Sequence, residues 1–201
     1  MAVSRFSNST IANGFPKYQR FWDQSSVEIF NSFESISTIT VSSGTSQSVT
    51  FSSIPSTFTH LQIRCFTRDN RPSTNINNLH LEINGDSAAN YSSHSIRATG
   101  SGTLLTGDAN QSAIDVTLEP GATATASSFA ATIYDILDYT NVNKFKTVRS
   151  IGGYDLNGSG WLVFQSGAWR STNAITSLKL YSSATASFVQ YSHFALYGIR
   201  G

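Results

Sequence analysis

Charge is what this sequence has least of. Asp, Glu, Lys and Arg together make up 12% of its 201 residues, with 13 basic against 12 acidic side chains, about half the usual charged share. No run of Lys or Arg gathers the cations that a nucleic-acid binder uses to displace phosphate counterions, so nucleic acid is not an expected partner. The one cysteine, Cys65, cannot form an internal disulfide. Set between Arg64 and Phe66 in an apolar strand pattern, it is expected to be buried and unreactive. Long apolar runs are missing as well, so no membrane span is expected. Nothing after Arg5 has the apolar core of a secretory signal, and synthesis in a cytoplasm follows. With so little charge, the polar surface must come from Ser, Thr and Asn.

What is present is a period of two. Ile39 and Val41, then Val49 and Phe51, alternate with Thr and Ser. Leu61, Ile63 and Cys65 oppose Gln62, Arg64 and Phe66, and Leu79, Leu81 and Ile83 oppose His80, Glu82 and Asn84. Such alternation places one set of side chains in a core and the other toward solvent, as in half-buried antiparallel strands. Further strands are expected at 90–97, 112–118, 128–139, 144–151, 161–168, 174–181 and 187–199. Asn84-Gly85-Asp86, Pro120-Gly121 and Asn157-Gly158-Ser159-Gly160 supply turns. No window combines the length and the 3.6-residue period of a helix. The pattern predicts an all-β fold, a single antiparallel β-sandwich of jelly-roll type over residues 34–201.

Residues 1–33 differ. They carry Phe6, Phe15, Tyr18, Phe21, Trp22, Phe30 and Phe33 around Pro16 without a sustained period. An aromatic segment hanging free in water is a liability, so it either folds back on its own domain or docks into a partner. An extended apolar arm gains most by crossing an interface. Residues 1–33 are therefore read as an extended N-terminal anchoring arm, with Phe6, Phe15, Pro16, Tyr18, Phe21 and Trp22 as its anchors.

Catalytic chemistry is hard to find. The histidines, His60, His80, His94 and His193, share no metal-ligand spacing. His80 alternates with leucines on a strand, as a solvent-facing or cross-strand polar residue does. No Gly-x-Ser-x-Gly elbow presents a serine. Asp135 and Asp138 stand three apart on an expected strand, which points them to opposite faces rather than across a glycosidase cleft. No catalytic residue, no enzymatic activity and no cofactor are expected. Asp155, Asn157 and Ser159 match the first half of a calcium loop, but Ser166 stands where the bidentate carboxylate belongs; a hairpin turn explains them better. Trp161 and Trp169, with Arg170 and Asn173 following, form a candidate glycan site, since flat sugar faces stack on indole rings while Arg and Asn reach hydroxyls. Packing of both rings in a core or an interface is the competing explanation.

Several stretches also resemble a known class. Phe33-Glu34-Ser35-Ile36 leading into Ser52-Ser53-Ile54-Pro55-Ser56-Thr57-Phe58-Thr59-His60-Leu61-Gln62-Ile63-Arg64 is similar to a β-domain of tailed-bacteriophage structural proteins common in aquatic phages. Asp138-Tyr139-Thr140-Asn141, Lys144, Lys146, Thr147 and Gly153-Tyr154-Asp155 fit the same pattern, as does the ending Phe194-Ala195-Leu196-Tyr197-Gly198-Ile199-Arg200-Gly201. Thr10-Ile11, Phe15-Pro16-Lys17-Tyr18-Gln19 and Phe21-Trp22-Asp23 resemble the leaders of such proteins. The resemblance implies a virion location and a homotrimer, and brings no catalytic residues with it. A short tail fibre or host-facing appendage is the first expectation, with baseplate or tail proteins as partners of the arm and a host-surface glycan as a further partner. A capsid decoration protein is the second, and a free lectin-like module or glycan hydrolase the third.

Overall fold

The computed structural model describes residues 32–201. In chain order the strands are β1 (Phe33–Thr40), β2 (Thr45–Ser46), β3 (Ser48–Phe51), β4 (His60–Thr67), β5 (Asn77–Ile83), β6 (Tyr91–Thr99) and β7 (Gly102–Gln111). They continue with β8 (Ile114–Glu119), β9 (Ala130–Ile136), β10 (Lys146–Asp155), β11 (Gly160–Trp169), β12 (Leu178–Ser182), β13 (Phe188–Val189) and β14 (His193–Ile199). No helix occurs among the described residues, hence none long and apolar enough to cross a membrane. Phe33, the last residue assigned to the arm, is the first of β1.

An eight-stranded sheet has the order β1-β14-β4-β9-β10-β11-β6-β7, and a four-stranded sheet the order β3-β12-β5-β8. All pairings between strands are antiparallel. The sheets meet through the apolar half of each alternation: Leu61, Ile63 and Cys65 from β4, Leu79, Leu81 and Ile83 from β5, Leu178 and Leu180 from β12, and Phe194 and Leu196 from β14 share one core. Two glycines let the sheets approach. A Cβ at Gly152 would overlap the Thr132 and Thr117 side chains, and one at Gly167 would overlap Ile114 on β8. Removing this much apolar surface from water is the main stabilising term, at about 25 cal/mol per Å².

The core also holds an acidic cluster. Asp69 accepts hydrogen bonds from the Arg71 backbone (3.1 Å) and the Asn77 amide. The Ser182 hydroxyl donates to Glu119 at 2.5 Å. Glu119 is fully buried, and burial, then the nearby charge of Asp69, pushes its carboxyl up to about 8. Elsewhere the buried Lys146 donates its ammonium protons to the carbonyls of Asn141, Lys144 (3.0 Å) and Thr172 (3.1 Å), tying two loops together.

Expectation and structure differ at several strands. The single strand expected at 187–199 is two, β13 and β14, broken at Tyr191, whose φ is 75°. The expected 174–181 strand begins only at Leu178, and 144–151 runs on to Asp155. β7 was not expected at all. It is exposed along nearly its whole length, so no burial period of two marks its sequence, and its Gly and Asp residues are poor strand formers.

Candidate interaction face

Strand register gives the outer face of the eight-stranded sheet its character. Directly paired residues project on the same side. One row runs Arg64↔Ile133, Ile133↔Ile151, Ile151↔Phe164, Phe164↔Ile96 and Ile96↔Leu105, crossing six strands from β4 to β7. Every residue of it is exposed. The neighbouring row runs Phe66↔Ala131, Ala131↔Gly153 and Gly153↔Leu162. In this second row the small residues Ala131 and Gly153 lower the floor between Phe66, 55% exposed, and Leu162, 59% exposed. The result is a trough of about 690 Å³ bordered by Arg64, Ile133, Ile151, Trp161, His193 and Tyr197. Gly153 is required here, because an added Cβ would overlap the Trp161 carbonyl.

Polar residues frame this strip. The Gln62 amide donates to Asp135 at 2.8 Å and accepts from Arg64 Nε at 2.8 Å. The Arg64 guanidinium lies 5.2 Å from the Phe33 ring and 5.6 Å from Tyr197, which stack on each other at 4.8 Å. At the far end β7 is an edge strand, paired on one side only, to β6. Leu105 on the outer side is 73% exposed, and Leu104 on the opposite side 49%. Monomeric proteins rarely leave a contiguous apolar patch larger than a few hundred Å² in water.

The outer face of the four-stranded sheet is its opposite. His80 Nδ1 meets Asp115 at 2.8 Å, Lys179 meets Glu82 at 3.4 Å, and Arg97 reaches Asp115 at 3.8 Å. The His80 ring stacks on Tyr181 with centroids 5.2 Å apart. A smaller groove of about 480 Å³ lies beside them, lined by Gln47, Gln111 and Ser183 among others.

The glycan candidates do not form one platform. Trp169 is 2% exposed, and its indole donates to Asp86 at 2.7 Å, so it offers no ring face to a ligand. Trp161 packs against the Leu118, Tyr154 and Val163 cluster at the other end of β11. Eight residues of extended strand, about 26 Å, part the two rings. Arg170 donates to the Ala89 carbonyl and to Asn110 at 2.8 Å; Asn173 is exposed, its backbone bonded to Ser171. For Trp169 the competing explanation, packing in the core, is the one the structure shows, because its side of β11 faces the opposing sheet.

Asp155, Asn157 and Ser159 form the β10–β11 hairpin turn. The Asn157 N–H donates to Asp155 at 2.7 Å and the Leu156 N–H to the Ser159 carbonyl at 2.6 Å. Asn157 and Gly158 take positive φ of 63° and 99°. Asp135 lies on the outer face of β9, whereas Asp138 sits in the following turn against Lys144 and His60. His193 bonds Thr40 at 2.9 Å, and the His94 ring lies over Gly107. Cys65 is buried, and burial pushes its thiol up to about 12, so it carries no thiolate at neutral pH. The anchoring residues Phe6, Phe15, Pro16, Tyr18, Phe21 and Trp22 lie outside the described residues.

No protein-family model matches the chain, and no curated protein matches it either.

Proposed function

We propose that this chain is a structural protein of a tailed-bacteriophage virion, a short tail fibre or host-facing appendage that is anchored through residues 1–33 and assembles as a homotrimer. The observation that carries the reading is the apolar face. A domain whose core is already closed, yet which leaves Ile96, Leu105, Ile151, Leu162 and Phe164 in water, has the surface of an assembly component. The similarity to phage β-domains of residues 33–36 and 52–64, of 138–141 with Lys144, Lys146, Thr147 and 153–155, and of 194–201 supports the same reading.

The strand orders support a jelly roll, which has eight strands in two Greek keys. One sheet is β3-β12-β5-β8. In the other, β4, β9, β6 and β7 complete the set, with the β10–β11 hairpin inserted between β9 and β6 and with β14 and β1 added beyond β4. The reading assigns the chain no catalytic role and no cofactor.

Quantitative mass spectrometry of purified particles tests it. A few tens of copies per particle fit a tail appendage. Several hundred copies move the chain to the capsid as a decoration protein, and none at all overturns the virion reading. Deleting residues 1–33 is expected to abolish incorporation while the β-domain stays folded; normal incorporation of the truncated chain removes the arm's anchoring role. Soluble glycan competition of host adsorption, followed by Trp161→Ala, decides whether a host glycan belongs to the function.

A further inference from the structure

Three Asn-Gly steps occur in the sequence, at Asn13-Gly14, Asn84-Gly85 and Asn157-Gly158, and the first lies outside the described residues. An asparagine side chain is most open to attack by the next peptide nitrogen when glycine follows, because no Cβ holds that nitrogen away. The two described steps form a matched pair. Asn84 and Gly85 take φ of 55° and 69°, and Asn157 and Gly158 take 63° and 99°. A backbone hydrogen bond braces each turn, from the Asp86 N–H to the Ile83 carbonyl at 3.0 Å and from the Leu156 N–H to the Ser159 carbonyl at 2.6 Å. A Cβ at either Gly85 or Gly158 would meet nothing within 4 Å. Backbone and free space are alike.

The side chains differ. Asn84 is half-buried, and its Oδ1 accepts from the Thr176 N–H at 2.8 Å and the Ser177 N–H at 3.0 Å, while its Nδ2 donates to the Ala174 carbonyl at 2.8 Å. Held at both ends, its carbonyl carbon cannot swing onto the Gly85 nitrogen without breaking these bonds. Asn157 is exposed, and only its backbone N–H is engaged, by Asp155 at 2.7 Å. Among the described residues no group bonds its side-chain amide or accepts the Gly158 N–H.

We propose that Asn157 is a site of spontaneous deamidation in the folded chain, and that Asn84 is protected from the same reaction. The Gly158 nitrogen bonds to Asn157 Cγ, the Cγ–Nδ2 bond breaks, and Nδ2 leaves as ammonia with the proton that the peptide nitrogen gives up. Water then opens the cyclic imide. Addition at Cγ gives aspartate, and addition at the backbone carbonyl gives isoaspartate, whose main chain runs through the former side chain. Water is the one co-reactant. This modification goes beyond the virion reading and does not rest on it. Either product adds a negative charge, taking the formal net charge from +1 to zero. The charge appears at the rim of a groove of about 360 Å³ that Gly158 and Ser159 line together with Thr99, Ser101 and Trp161. Isoaspartate also lengthens the main chain of the β10–β11 turn, and loop length selects the turn type of a hairpin.

Ageing the full wild-type chain at mildly alkaline pH and physiological temperature, then digesting it briefly with trypsin for mass spectrometry, tests the site. Cleavage after Lys and Arg, except before Pro72, places the three steps in separate peptides, 6–17, 69–97 and 150–170, and Asn157 is the only asparagine of the last. The folded chain is expected to convert Asn157 more than about ten-fold faster than Asn84, a ratio that a single hydrogen bond can command. Peptide 150–170 should split into aspartyl and isoaspartyl forms, and only the second should take a methyl group from S-adenosylmethionine with an isoaspartyl methyltransferase. In concentrated urea both sites should convert at similar rates, because both precede glycine. Equal rates at the two sites in the folded chain overturn the proposal, as does an Asn157 that converts in urea but stays intact in the folded chain. An Asn84 that remains slow in urea overturns its protection by the fold.

Discussion

The two outer faces of the sandwich are finished in different ways. On the four-stranded sheet, His80 meets Asp115 and Lys179 meets Glu82 within the face, and Tyr181 is stacked on His80. That surface is complete against water. On the eight-stranded sheet the corresponding positions hold Ile, Leu and Phe in register across strands, and the charged groups stand at the margins. The two faces cover one core, so stability does not explain the difference. Exposed surface pairs contribute about 0–1 kcal/mol each, and exposed apolar side chains contribute little to a monomer. The apolar face gains only when something covers it.

The largest expected contrast lies between the core and the apolar face. Leu180→Ala, in the core beneath the paired face, should cost about 2–5 kcal/mol. Phe164→Ala, measured by urea unfolding at dilutions where the chain is monomeric, should stay within about 0.5 kcal/mol. An equal loss at both positions would mean that the apolar face is buried within the monomer.

Titration of Glu119 should come next. Its folded carboxyl sits at about 8, against about 4.3 in an unfolded chain. Below the lower value both states hold the proton and the group has no effect. Between them the unfolded state ionises while the folded state keeps its proton, so stability falls as pH rises from about 4.5 to about 8. Chemical denaturation across that range should show the slope, and Glu119→Gln should flatten it. Neighbouring Asp69 is raised in the same direction by its own burial, opposed by Asn77, Arg71 and Arg68, so a residual slope in the variant belongs to it.

Asp115→Ala should cost about 1 kcal/mol, because it leaves His80, Arg97 and the Asn78 amide short of an acceptor. Added salt should shrink the loss. The smallest effect is expected for Ile151→Thr, 52% exposed on the apolar face. Monomer stability should change by under about 0.5 kcal/mol, while solubility rises measurably in a precipitation assay.

Much of the fold was legible in the chain. Leu79, Leu81 and Ile83 fall on the core side of β5 as their alternation implies, and Cys65 is buried with Leu61 and Ile63. The interaction face was harder to read. Phe66, Ile133 and Ile151 are apolar residues on the solvent side of their alternation, but one strand at a time they look like isolated exposures, which are normal. β7 gave no period at all, since nothing covers either side of it; Leu104-Leu105 between Gly102 and Gly107 was its only signal. Trp169 could be read either as a glycan platform or as core from its sequence, and only the side of β11 that faces the other sheet decided for the core.

Local chemistry, then, determined the strands and their inward sides, since a period of two needs no partner to be recognised. The turn at Asn157-Gly158 and the low charge of the surface are equally local. Only the tertiary structure decided that Ile133, Ile151, Phe164, Ile96 and Leu105 form one row, because register between strands far apart in the chain is set by how the two sheets fill their common core. The same packing put the trough and the edge strand β7 on one face.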